Sequence, residues 1–287
     1  METGLRSWLV ARGYTPAAAT TLDQLALLAH NVRFRTLPTR AWKVLWSRHL
    51  RMSRFYAMNR HAVNAIVNKA TTGLPLIAHQ TKGLENPRKN DWLLSDWGIQ
   101  HLHLDTAPDP KKPKYVKRAD YVLFVFPYGE HLLLLDILPH PEEDGWADER
   151  PFETLHRDFP GAIQRHRSAI AGLETPVTQE QRHNLRKNGA IVPTQVSDGT
   201  VYLPPGGGYT TNQRSATARI GADMTLWWAH PDRIKAAILA ENPDVPDETP
   251  TDLTITFSDD LRAQLSASWK LGSVDLPEWP ERHDANQ

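Results

Sequence analysis

The chain has 287 residues, 40% of them hydrophobic, which is enough to bury a sizeable core in one large domain or in two smaller ones. It contains no cysteine, and this excludes disulfides, a thiolate nucleophile and zinc held by cysteine. The formal net charge is zero, yet residues 1–120 hold 19 Lys and Arg against 8 Asp and Glu, whereas residues 121–287 hold 14 against 25.

The basic charge is concentrated in residues 24–84, which contain ten Lys and Arg and no acidic residue. Such a segment suits a polyanion, or the acidic half of the same chain. RNA or the ribosome is therefore an expected partner, and self-neutralisation is the competing interpretation. The candidate nucleic-acid-binding residues are Arg33, Arg35, Arg40, Lys43, Arg48, Arg51 and Arg54, with Lys111, Lys112 and Lys114 in a later proline-broken loop.

The apolar runs of the sequence are short. Residues 121–126 and 132–135 are among the longest, and they fall far below the roughly 18 residues that a membrane span requires. The start of the chain also lacks the pattern of a signal peptide. We therefore expect a cytoplasmic protein that has no membrane partner.

In chain order, the first region predicts helices. Apolar residues at helical spacing predict helices over residues 4–30, with a second segment starting at Ala17, then over a short stretch opened by Pro38, and over residues 53–70. The first 85 or so residues are thus predicted to be all-helical. A polar linker is expected at residues 83–90, followed by one more helical turn.

The hydrophobic period changes to two in the central region. Residues 99–105 alternate, so that His101, His103 and Asp105 are predicted on one face of a strand. After a basic loop, residues 121–126 and 132–138 predict a hairpin that is buried on both faces. Its predicted core consists of Val122, Phe124, Leu133, Leu135 and Ile137.

The last part of the chain mixes helices and strands. Predicted helices span residues 151–159, 162–172, 215–228, 231–240 and 259–271, with a hairpin within 185–208 and a strand over 253–257. The run Pro204 to Gly208 is interpreted as a flexible turn, the alternative being a backbone cradle for phosphate.

These elements predict an α+β fold: a helical N-terminal region, a central, small, antiparallel-rich sheet with flanking helices, and a mixed C-terminal region. The predicted domains are a basic helical region at 1–88, a central α+β domain at 91–175 and an acidic α+β region at 176–287.

His101, His103 and Asp105 form the most specific local motif. Alternate residues of a strand project the same way and lie roughly 7 Å apart, so the three side chains can converge on one substrate or ion. Two imidazoles and a carboxylate suit metal ligation or general acid–base chemistry. The remaining interpretation is the solvated face of an edge strand.

The order of parts over about residues 92–160 resembles the core of the RelE/HigB-type toxins, small ribosome-dependent bacterial RNases. The resemblance is carried by the strand at Trp97 to Leu104, the segment Arg118 to Phe124, and the apolar strand that leads to His140. It implies that Arg118 binds phosphate and that His140 acts as acid or base, with His101 and His103 as additional acid–base candidates. It also implies an antitoxin protein as partner. The chain is much longer than those toxins, and their Lys-rich catalytic strand is not evident.

Three hypotheses follow. The leading one is a toxin-like, metal-independent endoribonuclease without a cofactor that uses His101, His103, Arg118 and His140, because attack by the ribose 2′-hydroxyl needs a base, an acid and a cation for the phosphorane. An ion pair of Arg118 with Asp96 or Asp120 is the purely structural alternative. The second hypothesis is a metal-dependent hydrolase using His101, His103 and Asp105. The third is a non-enzymatic module that binds nucleic acid or a protein.

Overall fold

The computed structural model describes residues 2–86, 88–89, 91–140, 144–170, 172–173, 175, 177–188, 190, 192–208, 252–257, 263–269 and 272–275. The chain divides into two compact units. The terminal unit comprises Met1–Phe34 and Thr217–Gln287, and the central unit comprises Arg35–Ala216. The fold is α+β with a helical N-terminal region, as predicted.

The described elements are, in chain order, α1 (Glu2–Ala11), α2 (Leu22–Arg35), β1 (Lys43–Trp46), α3 (Arg48–Met52), α4 (Arg54–Thr71), α5 (Trp92–Trp97), β2 (Gln100–His103), β3 (Tyr121–Tyr128), β4 (His131–Pro139), α6 (Arg150–Asp158), α7 (Pro160–Ile163), α8 (Gln179–Lys187), β5 (Thr194–Gln195), β6 (Val201–Tyr202), β7 (Asp252–Phe257), β8 (Ala263–Trp269) and β9 (Gly272–Asp275). Short 3-10 helices lie at Ile77–His79, Lys82–Glu85, Asp144–Ala147 and Gln164–His166. Among these helices, none has the length and apolar character needed to cross a membrane.

The terminal unit has a helical core between α1 and α2. Leu5, Trp8 and Leu9 of the first helix pack in one cluster with Leu25 and Ala29 of the second. The predicted helical region is confirmed, although α2 begins at Leu22 rather than at Ala17.

The C-terminal strands of the terminal unit correct one prediction. Strand β7 confirms the strand predicted at 253–257, and it pairs with β8 and then β9 in an antiparallel meander. The helix predicted at 259–271 is wrong, because residues 263–268 pair with β7 and residues 266–269 pair with β9, and such pairing overrides a weak local helical preference. The helices predicted at 215–228 and 231–240 lie outside the described residues.

The central unit is built on a mixed sheet with the strand order β1-β4-β3-β2. The predicted hairpin is confirmed as β3 and β4, which pair antiparallel from Tyr121–Pro139 to Tyr128–His131. All five residues of its predicted core are buried. Continuous apolar runs therefore identified a hairpin that is covered on both faces.

Strand β1 corrects the helix predicted after Pro38. Its four residues pair in parallel with His131–Leu134 of β4, and their exposure alternates with the period of two that a strand requires. The first 85 residues are thus not all-helical. Strand β1 and the hairpin belong to one sheet. The two domains predicted at 1–88 and 91–175 therefore both contribute residues to the central unit.

Both faces of this sheet carry apolar cores. On one face, Leu102, Leu123 and Leu134 pack with Val63 and Ile66 of α4. The opposite face packs against α5 and α6, and its cluster is Leu93, Trp97, Ile99, Val122, Phe124, Leu133, Leu135, Phe152 and Leu155 with their neighbours. Helices therefore cover both faces of the sheet, as a hairpin buried on both faces requires.

The glycine-rich run at 204–208 closes the C-terminal end of α5. The amide of Gly206 donates to the carbonyl of Asp96 at 3.1 Å, and that of Gly208 donates to the carbonyl of Ser95 at 2.9 Å. These carbonyls end a helix and have no partner within it. The amides are therefore used inside the fold and do not form a phosphate cradle.

Gly206→Ala should destabilise the protein strongly. A Cβ at this position would overlap the backbone oxygens of Leu94 and Ser95, so the run must withdraw and lose its hydrogen bonds to α5. We expect the free energy of unfolding in urea to fall by roughly 3 kcal/mol. Gly161→Ala is the matched control, because a Cβ there meets nothing within 4 Å. Equal stability of the two variants would contradict the packing described.

Candidate functional site

A cleft of about 790 Å³ opens in the central unit. Its described lining is rich in histidine and basic side chains and contains one acidic residue, Asp91. The carboxylate of Asp91 caps α5 by accepting a hydrogen bond from the Leu94 amide at 3.1 Å. The basic and histidine residues of the lining are Arg35, Lys82, Lys89, Arg118, Lys187, His101, His103, His140 and His183.

The sheet topology brings four predicted site residues to this cleft. Strand β2 ends at His103, β3 begins shortly after Arg118, and β4 ends immediately before His140. Since β2, β3 and β4 are antiparallel neighbours, these three strand ends lie side by side at one edge of the sheet. His101 joins them because it projects to the same side of β2 as His103. His101, His103, Arg118 and His140 therefore line one cleft.

The three imidazole rings form a compact cluster. The rings of His103 and His140 stack with centroids 5.3 Å apart and an angle of 17° between their planes. The ring of His101 lies 5.5 Å from that of His103 and 6.4 Å from that of His140. One small ligand can therefore contact all three rings.

Arg118 is attached to this cluster through His140. Its guanidinium donates a hydrogen bond to Nδ1 of His140 at 3.1 Å. A guanidinium has donors only, so Nδ1 is the acceptor, and neutral His140 carries its proton on Nε2. The alternative ion pair between Arg118 and Asp96 is not formed, because the Asp96 carboxylate binds Arg186 and Arg182.

Both strand histidines are neutral at neutral pH. Burial lowers the pKa of His101 to about 3, aided by the positive charges of His140, Lys89 and Arg118. Burial also lowers the pKa of His103 to about 3, with contributions from His101, His140 and Arg118. At pH 7 the two imidazoles can accept a proton or donate a hydrogen bond, and they carry no charge.

The back of strand β2 is held by a buried histidine that the sequence analysis did not identify. His79 donates from Nδ1 to the carbonyl of His103 at 3.1 Å, and its Nε2 accepts from the Lys69 ammonium at 3.0 Å. Burial lowers the pKa of His79, which keeps the ring neutral for this arrangement. The pair fixes the backbone at the end of β2, where His103 enters the cleft.

Trp146 forms one wall of the histidine cluster. Its ring lies 4.4 Å from the ring of His101 and 5.3 Å from that of His140. The backbone carbonyl of Trp146 accepts a hydrogen bond from Arg186 at 2.8 Å. Arg186 in turn binds Asp96 through Nε at 3.0 Å and Nη2 at 2.6 Å. A buried ion pair therefore positions this aromatic wall.

Helix α8 supplies cleft residues that the sequence analysis missed. His183 and Lys187 line the cleft, and Arg182 and Arg186 anchor the helix to Asp96 and Glu149. The helix lies some eighty positions after β2 in the chain, and nothing in its own pattern marks it as part of a site. Lys82 and Lys89 also line the cleft and lie closer to β2 in the sequence. Their position in a polar segment with few acidic residues could have marked them as candidate site residues.

The alternative metal site is not assembled. Strand β2 ends at His103, and the carboxylate of Asp105 accepts a hydrogen bond from the amide of Ala107 at 2.8 Å, which closes a turn after the strand. Within the part of the chain that the structure describes, no three His, Asp or Glu side chains are grouped so as to hold a metal ion. Among the described residues His101, His103 and Asp105 are not grouped as a metal site, and the metal-dependent hydrolase stays a prediction.

The predicted nucleic-acid-binding residues fall into two groups. Several have partners inside the protein: Arg35 is buried and donates to the carbonyls of Asn86 and Gly83, Arg40 donates to the carbonyl of Gly129, Lys43 pairs with Glu130, and Lys112 and Lys114 pair with Glu85. Arg33, Arg48, Arg51, Arg54 and Lys111 are exposed. Local neutralisation thus accounts for part of the basic run, and RNA binding by the exposed group stays a prediction.

Comparison with protein-family models, with curated proteins and with solved structures finds no match to this chain. The resemblance to the RelE/HigB-type toxins therefore depends on the sequence pattern alone and stays a prediction.

Proposed function

We propose that the protein is an endoribonuclease that cleaves the phosphodiester backbone of RNA by acid–base chemistry, without a metal ion in the chemical step. The observation that carries this proposal is the meeting of three imidazoles and one guanidinium in a single basic cleft. A proton acceptor, a proton donor and a cation for the charged phosphorane are the groups that this reaction requires.

The geometry supports a distinct role for each group. Arg118 binds the scissile phosphate and stabilises its developing charge. A neutral imidazole of His101 or His103 removes the proton from the 2′-hydroxyl, whose oxygen then attacks the phosphorus. The other of these two histidines, in its protonated form, gives its added proton to the leaving 5′-oxygen, and His140 holds the Arg118 guanidinium beside the cluster. The products are a 2′,3′-cyclic phosphate and a 5′-hydroxyl.

The charge of the cleft favours a polyanionic substrate. Lys89 and Lys187 line it together with Arg118, and Lys82 lines it while forming an ion pair with Asp109. Trp92 and Trp146 also line it, and aromatic rings are the usual partners of unstacked bases. The resemblance to RelE/HigB-type toxins supports the same activity and adds growth inhibition, a cytoplasmic location and an antitoxin partner to the proposal.

The direct test is cleavage of a labelled single-stranded RNA by the purified full chain in the presence of EDTA, with and without ribosomes. We expect RNA to be cleaved to products with 2′,3′-cyclic phosphate ends, and DNA of the same sequence to stay intact because it lacks the attacking hydroxyl. Loss of cleavage in EDTA would point to a metal-dependent reaction. Intact RNA under every condition would refute the proposal.

A further inference from the structure

The titratable groups around His103 are almost all bases, which are positive or become positive on protonation. Its own strand contributes His101, the segment after β4 contributes His140, the segment before β3 contributes Arg118, and Lys82 approaches from the 3-10 helix at Lys82–Glu85. Behind the strand, Lys69 reaches His79, whose ring contacts the His103 carbonyl. The single acidic residue of the described lining, Asp91, is engaged as the cap of α5. A bound anion would relieve this accumulation of like charge.

We propose that a tetrahedral oxyanion binds between Arg118, His103 and His140, and that a proton from solution enters the histidine cluster together with it. This inference rests on the proposed function for the identity of the physiological anion, the RNA phosphate. The binding itself requires only a sulfate-like or phosphate-like group.

The geometry provides donors for such an anion. Arg118 uses one nitrogen for Nδ1 of His140, and its guanidinium carries further N–H donors. His103 is 8% exposed, and its Nδ1 is buried without a hydrogen-bond partner among the described residues. His103 therefore meets a ligand in the cleft through Nε2. The stacking of His103 on His140 places these donors side by side.

The coupling to a proton follows from the two causes that keep His103 neutral. Burial and the neighbouring positive charges both lower its pKa in the empty cleft, and the same holds for His101. An anion offsets the repulsion and accepts a hydrogen bond from the protonated ring, so binding raises the pKa. Between the low pKa of the free protein and the higher pKa of the complex, binding takes up a proton. In that range affinity rises as pH falls.

The consequence for the reaction is that substrate binding itself brings in the proton that the leaving oxygen later receives. In the empty cleft His101 and His103 are neutral at pH 7, and a neutral imidazole is too weak an acid to protonate the leaving oxygen. When the RNA phosphate binds, one imidazole gains a proton from solution and can pass it to the leaving 5′-oxygen. A second imidazole takes the proton of the 2′-hydroxyl, so the number of protons on the cluster is unchanged by cleavage.

The test is isothermal titration of the full chain with sulfate, which keeps both charges between pH 5.5 and 7.5. Titrations at pH 6.5 in two buffers of different ionisation enthalpy give the number of protons taken up. We expect close to one proton, and an affinity that rises up to about tenfold per unit fall in pH. Binding without proton uptake, or no binding at millimolar sulfate, would overturn the inference.

Three variants separate this result from nonspecific binding. Arg118→Gln should weaken sulfate binding at least tenfold, and His101→Gln with His103→Gln should abolish proton uptake, since glutamine donates hydrogen bonds but does not titrate. His61→Gln, exposed on α4, should change neither. Circular dichroism confirms that each variant is folded. Because sulfate is not cleaved, RNA cleavage without sulfate binding would refute this inference alone, and sulfate binding without cleavage would refute only the proposed reaction.

Discussion

Replacing His103 and Arg118 together by alanine should reduce the rate of RNA cleavage by at least about 10³-fold. General acid–base catalysis and charge stabilisation each contribute typically 10²-fold or more, and the double variant removes a group of each kind. Single-turnover cleavage of a labelled RNA measures the loss. In cells, expression of the parent chain should slow growth, and the double variant should relieve this.

The control for this prediction is a double variant of the same composition on the surface. His61→Ala with Arg60→Ala removes one histidine and one arginine, both exposed and both outside the residues that line the cleft. We expect its cleavage rate to stay within about twofold of that of the parent chain, in line with the small effects of surface substitutions. Equal activity, or equal toxicity, of the parent and the cleft variant would reject the proposed site.

Asp96→Ala should lower the free energy of unfolding by about 3–5 kcal/mol. Asp96 is fully buried, and its carboxylate faces the guanidinium groups of Arg186 at 2.6 Å and Arg182 at 3.5 Å, both of which are also buried. Removing the carboxylate leaves buried positive charge with less compensation. Urea denaturation of the two proteins measures the difference.

The same substitution should also disturb the cleft. Arg186 holds the carbonyl of Trp146, and its guanidinium lies 4.6 Å from the ring centre of Trp97. Without Asp96 we expect Trp146 to shift against His101, which a change in tryptophan fluorescence would report. Asp120→Ala is the matched control, because Asp120 is exposed beside the cleft. A loss of stability as small as that of the control would show that the ion pair contributes little.

The local pattern was sufficient where an element is determined by its own residues. Helix α4 followed from apolar residues at helical spacing, and it ends at Thr71, two residues before a glycine with φ of 77°. The hairpin followed from two long apolar runs that only a sheet covered on both faces can bury. Alternation along β2 correctly placed His101 and His103 on one side.

The pattern failed where distant partners decide the conformation. Residues 43–46 and 263–269 are strands because β4 and β7, respectively, offer them backbone partners, and a local window contains neither. Pairing free energy of this kind depends on residues brought together only in the folded chain, so propensity is a weak guide to it. The run at 204–208 likewise acquired its role from the helix end that it covers.

For the candidate site, the sequence by itself identified the side chains that can take part in acid–base chemistry. It also placed two of them, His101 and His103, on one face of a strand. Tertiary structure alone decided that Arg118 and His140 join them, because antiparallel pairing places the ends of β2 and β4 beside the start of β3. It also decided the neutrality of the histidines, since burial and nearby charge arise only on folding. The aromatic wall at Trp146 and the cleft residues of α8 come from positions that no spacing rule connects to β2.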